Sequence, residues 1–407
     1  MRLVALLAVC VGFCGLPGRA GAEPTAATFC NGLKSAVASE VSGAEAAFVR
    51  SYQLATEESK LPDGLSTTAF VYDDALAVIA LVACGDVTAA RSIGNALSRA
   101  TQVDRSFSDG RIRNAYRAGP VGGGPPNLPG WWDNHAQLWA EDPAQDGTST
   151  GNVAWAALAL LTLHEATGDA QYLHDAGRLV DWIIASTSCG DNGFCGGYHG
   201  YDPDQIRLTW SSTEHNVDVG AASRWLYRLT HDQRYADVDR QSQLLVGKAF
   251  QNDHFLLGTK PDASLADDRL LALDVQLWPW MARTDAPAAW RRALGFAEAH
   301  LAVDGGFDFN GDRDGVWVEG TAQAALAYRI TGDFRAVDRL LGSLVSDQTA
   351  SGLLNATRKP QLTTGLSIDP TSSVPDFLYF RRPHLGATAW AVLAATGWNP
   401  FTGQKVN

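Results

Sequence analysis

The chain has 407 residues, 46% of them hydrophobic, and its 44 acidic against 32 basic residues give a formal net charge of −12. That balance excludes nucleic acid as the natural partner, because phosphate binding needs a basic surface. The length allows either two domains or one large repeat-built domain, and the absence of CxxC, HExxH and GxxxxGK[ST] patterns leaves zinc and P-loop chemistry without support.

In chain order, Arg2, an apolar run from Leu3 to about Leu16 and the small residues Ala20-Gly21-Ala22 read as a signal peptide over residues 1–22, cleaved near Ala22. The run is shorter than the ~20 residues a spanning helix needs, and no later segment supplies one. The mature chain, 23–407, is expected to be a single exported domain, periplasmic or extracellular, monomeric and without a membrane span. Cys189 and Cys195 flank the loop segment GDNGF and are expected to pair in an oxidising compartment. Cys30 and Cys84 either pair or remain buried thiols.

One pattern then recurs: an apolar helix, a tight turn usually written Gly-Asp, and an amphipathic helix. The turns fall at Gly85-Asp86, Gly168-Asp169, His231-Asp232, Thr284-Asp285, Gly332-Asp333 and Gly397-Trp398. Gly takes the left-handed conformation that ends one helix, and Asp caps the amides that begin the next. Helices before the turns, such as NVAWAALALLTLHEA and GATAWAVLAA, are apolar nearly all round and belong inside; those after it, such as FRAVDRLLGSLV, carry one apolar stripe and belong outside. The last inner helix lacks a following partner, and the unpaired amphipathic segment near the N-terminus fits that place. The expected fold is all-α, an (α/α)6 toroid with an inner ring inside an outer ring; an open solenoid of helix pairs is the alternative.

The extra residues between hairpins fall in segments 101–150, 187–212, 250–272, 302–317 and 349–383, which places long loops above the starts of the inner helices. Those starts carry Asp73 and Asp74, Thr150 and Asn152, Glu214, His215 and Asp218, Asp274 and Gln276, Glu319 and Gln323, and His384 with Thr388. Capping and the helix dipole explain first-turn acids. They do not explain Asp218, a full turn inside its helix on the face of Glu214, nor Gln323, which repeats that spacing after Glu319. Trp131, Trp132, Trp139, Trp210, Trp278, Trp280 and Trp317 add flat amphipathic rings, and rings beside carboxylates suit a sugar. Inner helices ~10 Å apart put carboxylates on alternate helices roughly 7–9 Å apart, inside the window of an inverting glycosidase.

The six hairpins, written with repeats such as ATGDAQYLHDA, resemble those of the six-hairpin, (α/α)6-barrel glycosidases and their lyase and epimerase relatives, over essentially the whole mature chain. The resemblance implies a carbohydrate bound where the inner helices start, and most hydrolases of that group invert. The leading expectation is an inverting glycoside hydrolase with Glu214 and Glu319 as the principal pair and Asp73, Asp74 or Asp218 as support or as the base. His215, Asn152, Asp274, Gln323, His384, Tyr72, Trp131, Trp132, Trp210, Trp278 and Trp317 are the candidate substrate contacts. A lyase or epimerase would instead use His215, His384 and Tyr72 or Tyr116, with Arg111, Arg113, Arg117, Arg381 and Arg382 available for an acidic sugar. A third option is a non-catalytic carbohydrate-binding component of an exopolysaccharide system. No cofactor is expected, although Asp308 to Glu319 resembles a calcium loop in which Arg313 stands where glycine is usual.

Overall fold

The computed structural model describes residues 22–41, 43–53 and 61–406. The signal-peptide segment, apart from Ala22, lies outside them.

Thirteen helices occur among the described residues: α1 (Ala22–Val41), α2 (Val71–Ala83), α3 (Val87–Gln102), the one-turn α4 (Pro143–Asp146), α5 (Thr150–Thr167), α6 (Ala170–Thr187), α7 (Thr213–Thr230), α8 (Gln233–Ala249), α9 (Leu273–Met281), α10 (Arg292–Leu301), α11 (Val318–Thr331), α12 (Phe334–Val345) and α13 (Leu385–Thr396). The inner ring closes: α2 packs on α5, α5 on α7, α7 on α9, α9 on α11, α11 on α13, and α13 back on α2. Each inner helix is backed by the helix that follows it, and α13 is backed by α1. The toroid, not the open solenoid, is the fold. The reason is visible in composition: α5 from Val153 to Leu163 and α13 from Leu385 to Ala394 are buried at every position, so such helices need neighbours on all sides.

Four turns follow the expected chemistry. Gly85, Gly168 and Gly332 have φ of 75°, 73° and 84°, and His231 reaches 57°. Asp86, Asp169, Asp232 and Asp333 each accept a backbone N–H of the next helix. Thr284-Asp285 departs from it. Asp285 binds the Arg283 guanidinium at 2.9 Å, Pro287 follows, and the outer helix begins only after a 3-10 turn at Ala288–Arg291. The inner helix before it, α9, has nine residues and contains Pro279, which removes one backbone donor.

The connections at the start of the inner helices carry short antiparallel strands, in sheets of two or three. Both cysteine pairs are disulfides: Cys189–Cys195 within one such connection, and Cys30–Cys84 between α1 and the end of α2. Just below the starts of the inner helices the axis is filled by Trp155, Trp278 and Trp390 from alternate inner helices. Phe401 of the C-terminal tail meets them at centroid distances of 5.2, 5.5 and 6.3 Å. No helix among the described residues is long and apolar enough to cross a membrane.

Candidate active site

The six inner helices start in a common register, and three levels follow from it. The second residues are Tyr72, Gly151, Glu214, Asp274, Glu319 and Gly386; the fourth are Asp74, Val153, Asn216, Gln276, Thr321 and Thr388; the sixth are Leu76, Trp155, Asp218, Trp278, Gln323 and Trp390.

The fourth residues face the loops. Asp74 accepts from Val49 N, Gln276 from Phe255 N, Thr321 from Phe307 N and Thr388 from Leu354 N. Asn216 holds both the N–H and the carbonyl of Phe194. Each of these side chains satisfies a strand that cannot complete its own ladder. Asp74, read from sequence beside Asp73, therefore occupies the loop-holding level.

The second residues face the axis. Glu319 is 1% exposed; its Oε1 accepts from the Tyr72 hydroxyl at 2.7 Å and from Gln323 Nε2 at 3.4 Å, and Oε2 has no partner. Tyr72 is itself held by the Trp390 indole N–H at 2.9 Å, and Gln323 by that of Trp278 at 3.1 Å. Burial is the main cause that pushes the Glu319 carboxyl up to about 8; the His384 charge opposes it and Asp73 adds to it. His384, the residue capping α13, accepts from Ala387 N through Nδ1 and points Nε2 at Asp73, 3.4 Å away. Burial disfavours its cation, but Asp73 and Glu319 outweigh burial and the imidazole is shifted upward. Asp73, Glu319 and His384 place ligand atoms within 4.8 Å of one another, near enough for one cation. Their own hydrogen bonds account for the same convergence.

Across the axis, burial and then the charges of Asp274 and Glu319 raise Glu214 well above the carboxylate range. Fractional accessibility leaves Glu214 partly open, so it is the most solvent-accessible of these acids and burial acts through the cavity walls around it. Asp274 is pushed up to about 6 by burial, held back by backbone N–H groups including that of Val275. Asp218, one turn below Glu214, is fully buried. The Trp155 indole faces it, yet neither carboxyl oxygen has a hydrogen-bond partner. Burial, then Glu214 and Asp274, drive its pKa up.

Other candidates lie further out. His215 rests on Trp210, ring centroids 5.7 Å apart, and burial lowers it to about 4. Asn152 donates to Asn114 at 2.9 Å. Trp278 and Trp317 are packed inside, at 1% and 2% exposure. Trp131 and Trp132 form a hairpin with residues 138–140, on which Trp132 and Trp139 are exposed. Asp308, Asp312 and Asp314 converge within 4.8 Å, but Glu319 turns away from them into the barrel, so the twelfth position of the calcium-loop pattern does not join the other acids. Tyr116, proposed for proton transfer, stacks on Phe48 and accepts from Arg113 N, away from this cluster.

Two residues at the site escape sequence reasoning. Tyr52 lies against the His384 ring at 4.5 Å. Tyr379, on the strand Leu378–Phe380, approaches it edge-on at 6.1 Å, and burial followed by Glu319 raises its phenol. Gly386 also matters, through close approach: a Cβ there would overlap an Asp73 carboxylate oxygen and stand 3.1 Å from Glu319 Oε2. Gly386→Ala is expected to lower kcat/KM by about 10²-fold with the cooperative melt retained. Activity within about twofold of wild type would show that the convergence of Asp73, Glu319 and His384 is unimportant.

The chain matches no family model and no curated protein by sequence. Solved structures do match. A wild-type glycosidase superposes with TM-score 0.60 at 14% identity over 92% of this chain and 97% of its own. A GH76 α-mannanase of Bacteroides thetaiotaomicron gives 0.57 at 14% over 91% and 95%. The cellobiose 2-epimerase of Bacillus thermoamylovorans gives 0.60 at 11% over 91% and 99%. The fold of this chain is therefore the (α/α)6 barrel that these structures share.

Proposed function

We propose that the protein is an exported carbohydrate-active enzyme, an inverting glycoside hydrolase. The observation that carries this reading is the separation of proton affinities across one axis. Glu319, pushed up to about 8, holds its proton at neutral pH, while Asp274, at about 6, has lost most of its own. Glu319 donates its proton to the glycosidic oxygen as that bond breaks. The Glu214–Asp274 pair removes a proton from the water that attacks the anomeric carbon from the other face. Tyr72 and Gln323 orient the acid, leaving Oε2 available. Glycosidases among the structures of like fold agree with the reading, and the paired cysteines agree with export.

The Asp73–His384 pair favours one alternative, proton transfer at a sugar carbon by an epimerase or lyase; a cellobiose epimerase shares the fold. A polysaccharide screen separates them. New reducing ends lost in Glu214→Gln and Glu319→Gln support hydrolysis. Products absorbing in the ultraviolet identify a lyase, and isomerised sugar without cleavage identifies an epimerase.

A further inference from the structure

The half of the site formed by α7 and α9 gathers three acids that no cation in the described residues partners. Glu214 and Asp274 face the axis side by side, and Asp218 lies beneath them, fully buried with both carboxyl oxygens unpartnered. Among the described residues, no lysine or arginine nitrogen comes within 4.0 Å of these three acids. The cation that touches the site at all, His384, serves Asp73 and Glu319 on the other side.

Three of the five arginines considered for an acidic sugar, Arg111, Arg113 and Arg117, are engaged elsewhere. Arg113 is fully buried against Asp104, Asp146 and Asp202; Arg111 is paired with Asp109; Arg117 lies over the Trp139 ring. A uronic acid brought against these three acids would find no lysine or arginine nitrogen beside them among the described residues. A neutral sugar would leave Asp218 as orphaned as before, at the usual cost of a buried unpaired acid.

Resting on the hydrolase reading, we propose that the Glu214–Asp218–Asp274 face receives the ammonium group of an amino sugar, so that the substrate is a glycan containing unacetylated hexosamine units. An ammonium offers three donors, which matches acids that lack them. The whole chain points the same way: a net charge of −12 steers a polycation toward the mouth and repels a polyanion.

Calorimetry with three hexamers of equal length tests this: glucosamine, N-acetylglucosamine and glucose, each titrated into the full-length protein at low salt and at a pH where the amine is charged. The glucosamine hexamer is expected to bind roughly tenfold to a hundredfold more tightly than the other two, to lose affinity steeply with salt, and to release protons from the acids as it binds. Asp218→Asn is expected to remove that preference. Equal or tighter binding of the neutral or acetylated hexamer overturns the proposal, and because that comparison uses the wild-type chain it does not depend on how the variant folds. Reducing-end release is measured on the same oligosaccharides. Preferential binding without cleavage of any of them would retain the amino-sugar site and reject the hydrolase; cleavage of neutral glycans without the preference would do the reverse.

Discussion

Glu319→Gln is expected to lower kcat on a natural glycan by about 10²–10⁴-fold, with activity on a glycoside whose leaving group needs no protonation largely retained. Glutamine keeps the shape, and its carbonyl still accepts from Tyr72, so the loss measures the proton rather than the packing. In the wild type, kcat/KM should fall above about 8, where Glu319 ionises, and below about 6, where Asp274 is protonated. The variant should lose the alkaline limb. Stability should move the other way. The folded carboxyl keeps its proton up to about 8, whereas the ordinary value in the unfolded chain is 4.5. Between those limits the unfolded state binds fewer protons, so wild-type stability is full below about 4.5 and declines as pH rises toward about 8. Glutamine escapes that decline, which makes the variant more stable by roughly 2–3 kcal/mol at neutral pH. Denaturant titrations at acidic and neutral pH read the difference; a variant that is inactive but no more stable would contradict the buried, proton-holding state of Glu319.

Removing the Cys30–Cys84 disulfide is expected to cost about 4 kcal/mol, against about 2 kcal/mol for Cys189–Cys195, from the loop entropies of cross-links spanning 54 and 6 residues. The long cross-link also has the more demanding position. It ties α1, the helix that backs α13, to the end of α2, and Lys34 reinforces it by donating to the Cys84 carbonyl at 2.9 Å. The ring therefore loses its fastening where its two ends meet. Paired Cys→Ser variants compared by equilibrium denaturation check the order, and a larger loss from Cys189–Cys195 would refute the assignment of Cys30–Cys84 as the fastening of the ring.

Much of the ring was legible because a helix buried on all sides has no polar face to hide: α5 and α13 can be nothing but inner helices. The Gly-Asp turns were legible because both residues act locally. Thr284-Asp285 misled because a neighbouring Arg283 competes for the aspartate and Pro287 delays the helix. The candidate site was legible in part. Glu214, Asp274 and Glu319 stand out as acids at helix starts, but Asp73 and Asp74 look alike in sequence and face different ways, a distinction set by a helical register that only the common starting point reveals. Tyr52 pairs with His384 through a β-bridge and Tyr379 descends from a hairpin in a long loop, so neither has a local signal.

The aromatic plug across the barrel axis beneath the site has a consequence for traffic. Trp155, Trp278, Trp390 and Phe401 seal the axis, which makes the site a cup with one rim. A polymer cannot be threaded through it, and whatever is cut or rearranged at the bottom must leave by the opening through which it came. The loops around Trp210 and Tyr379 stand at that opening.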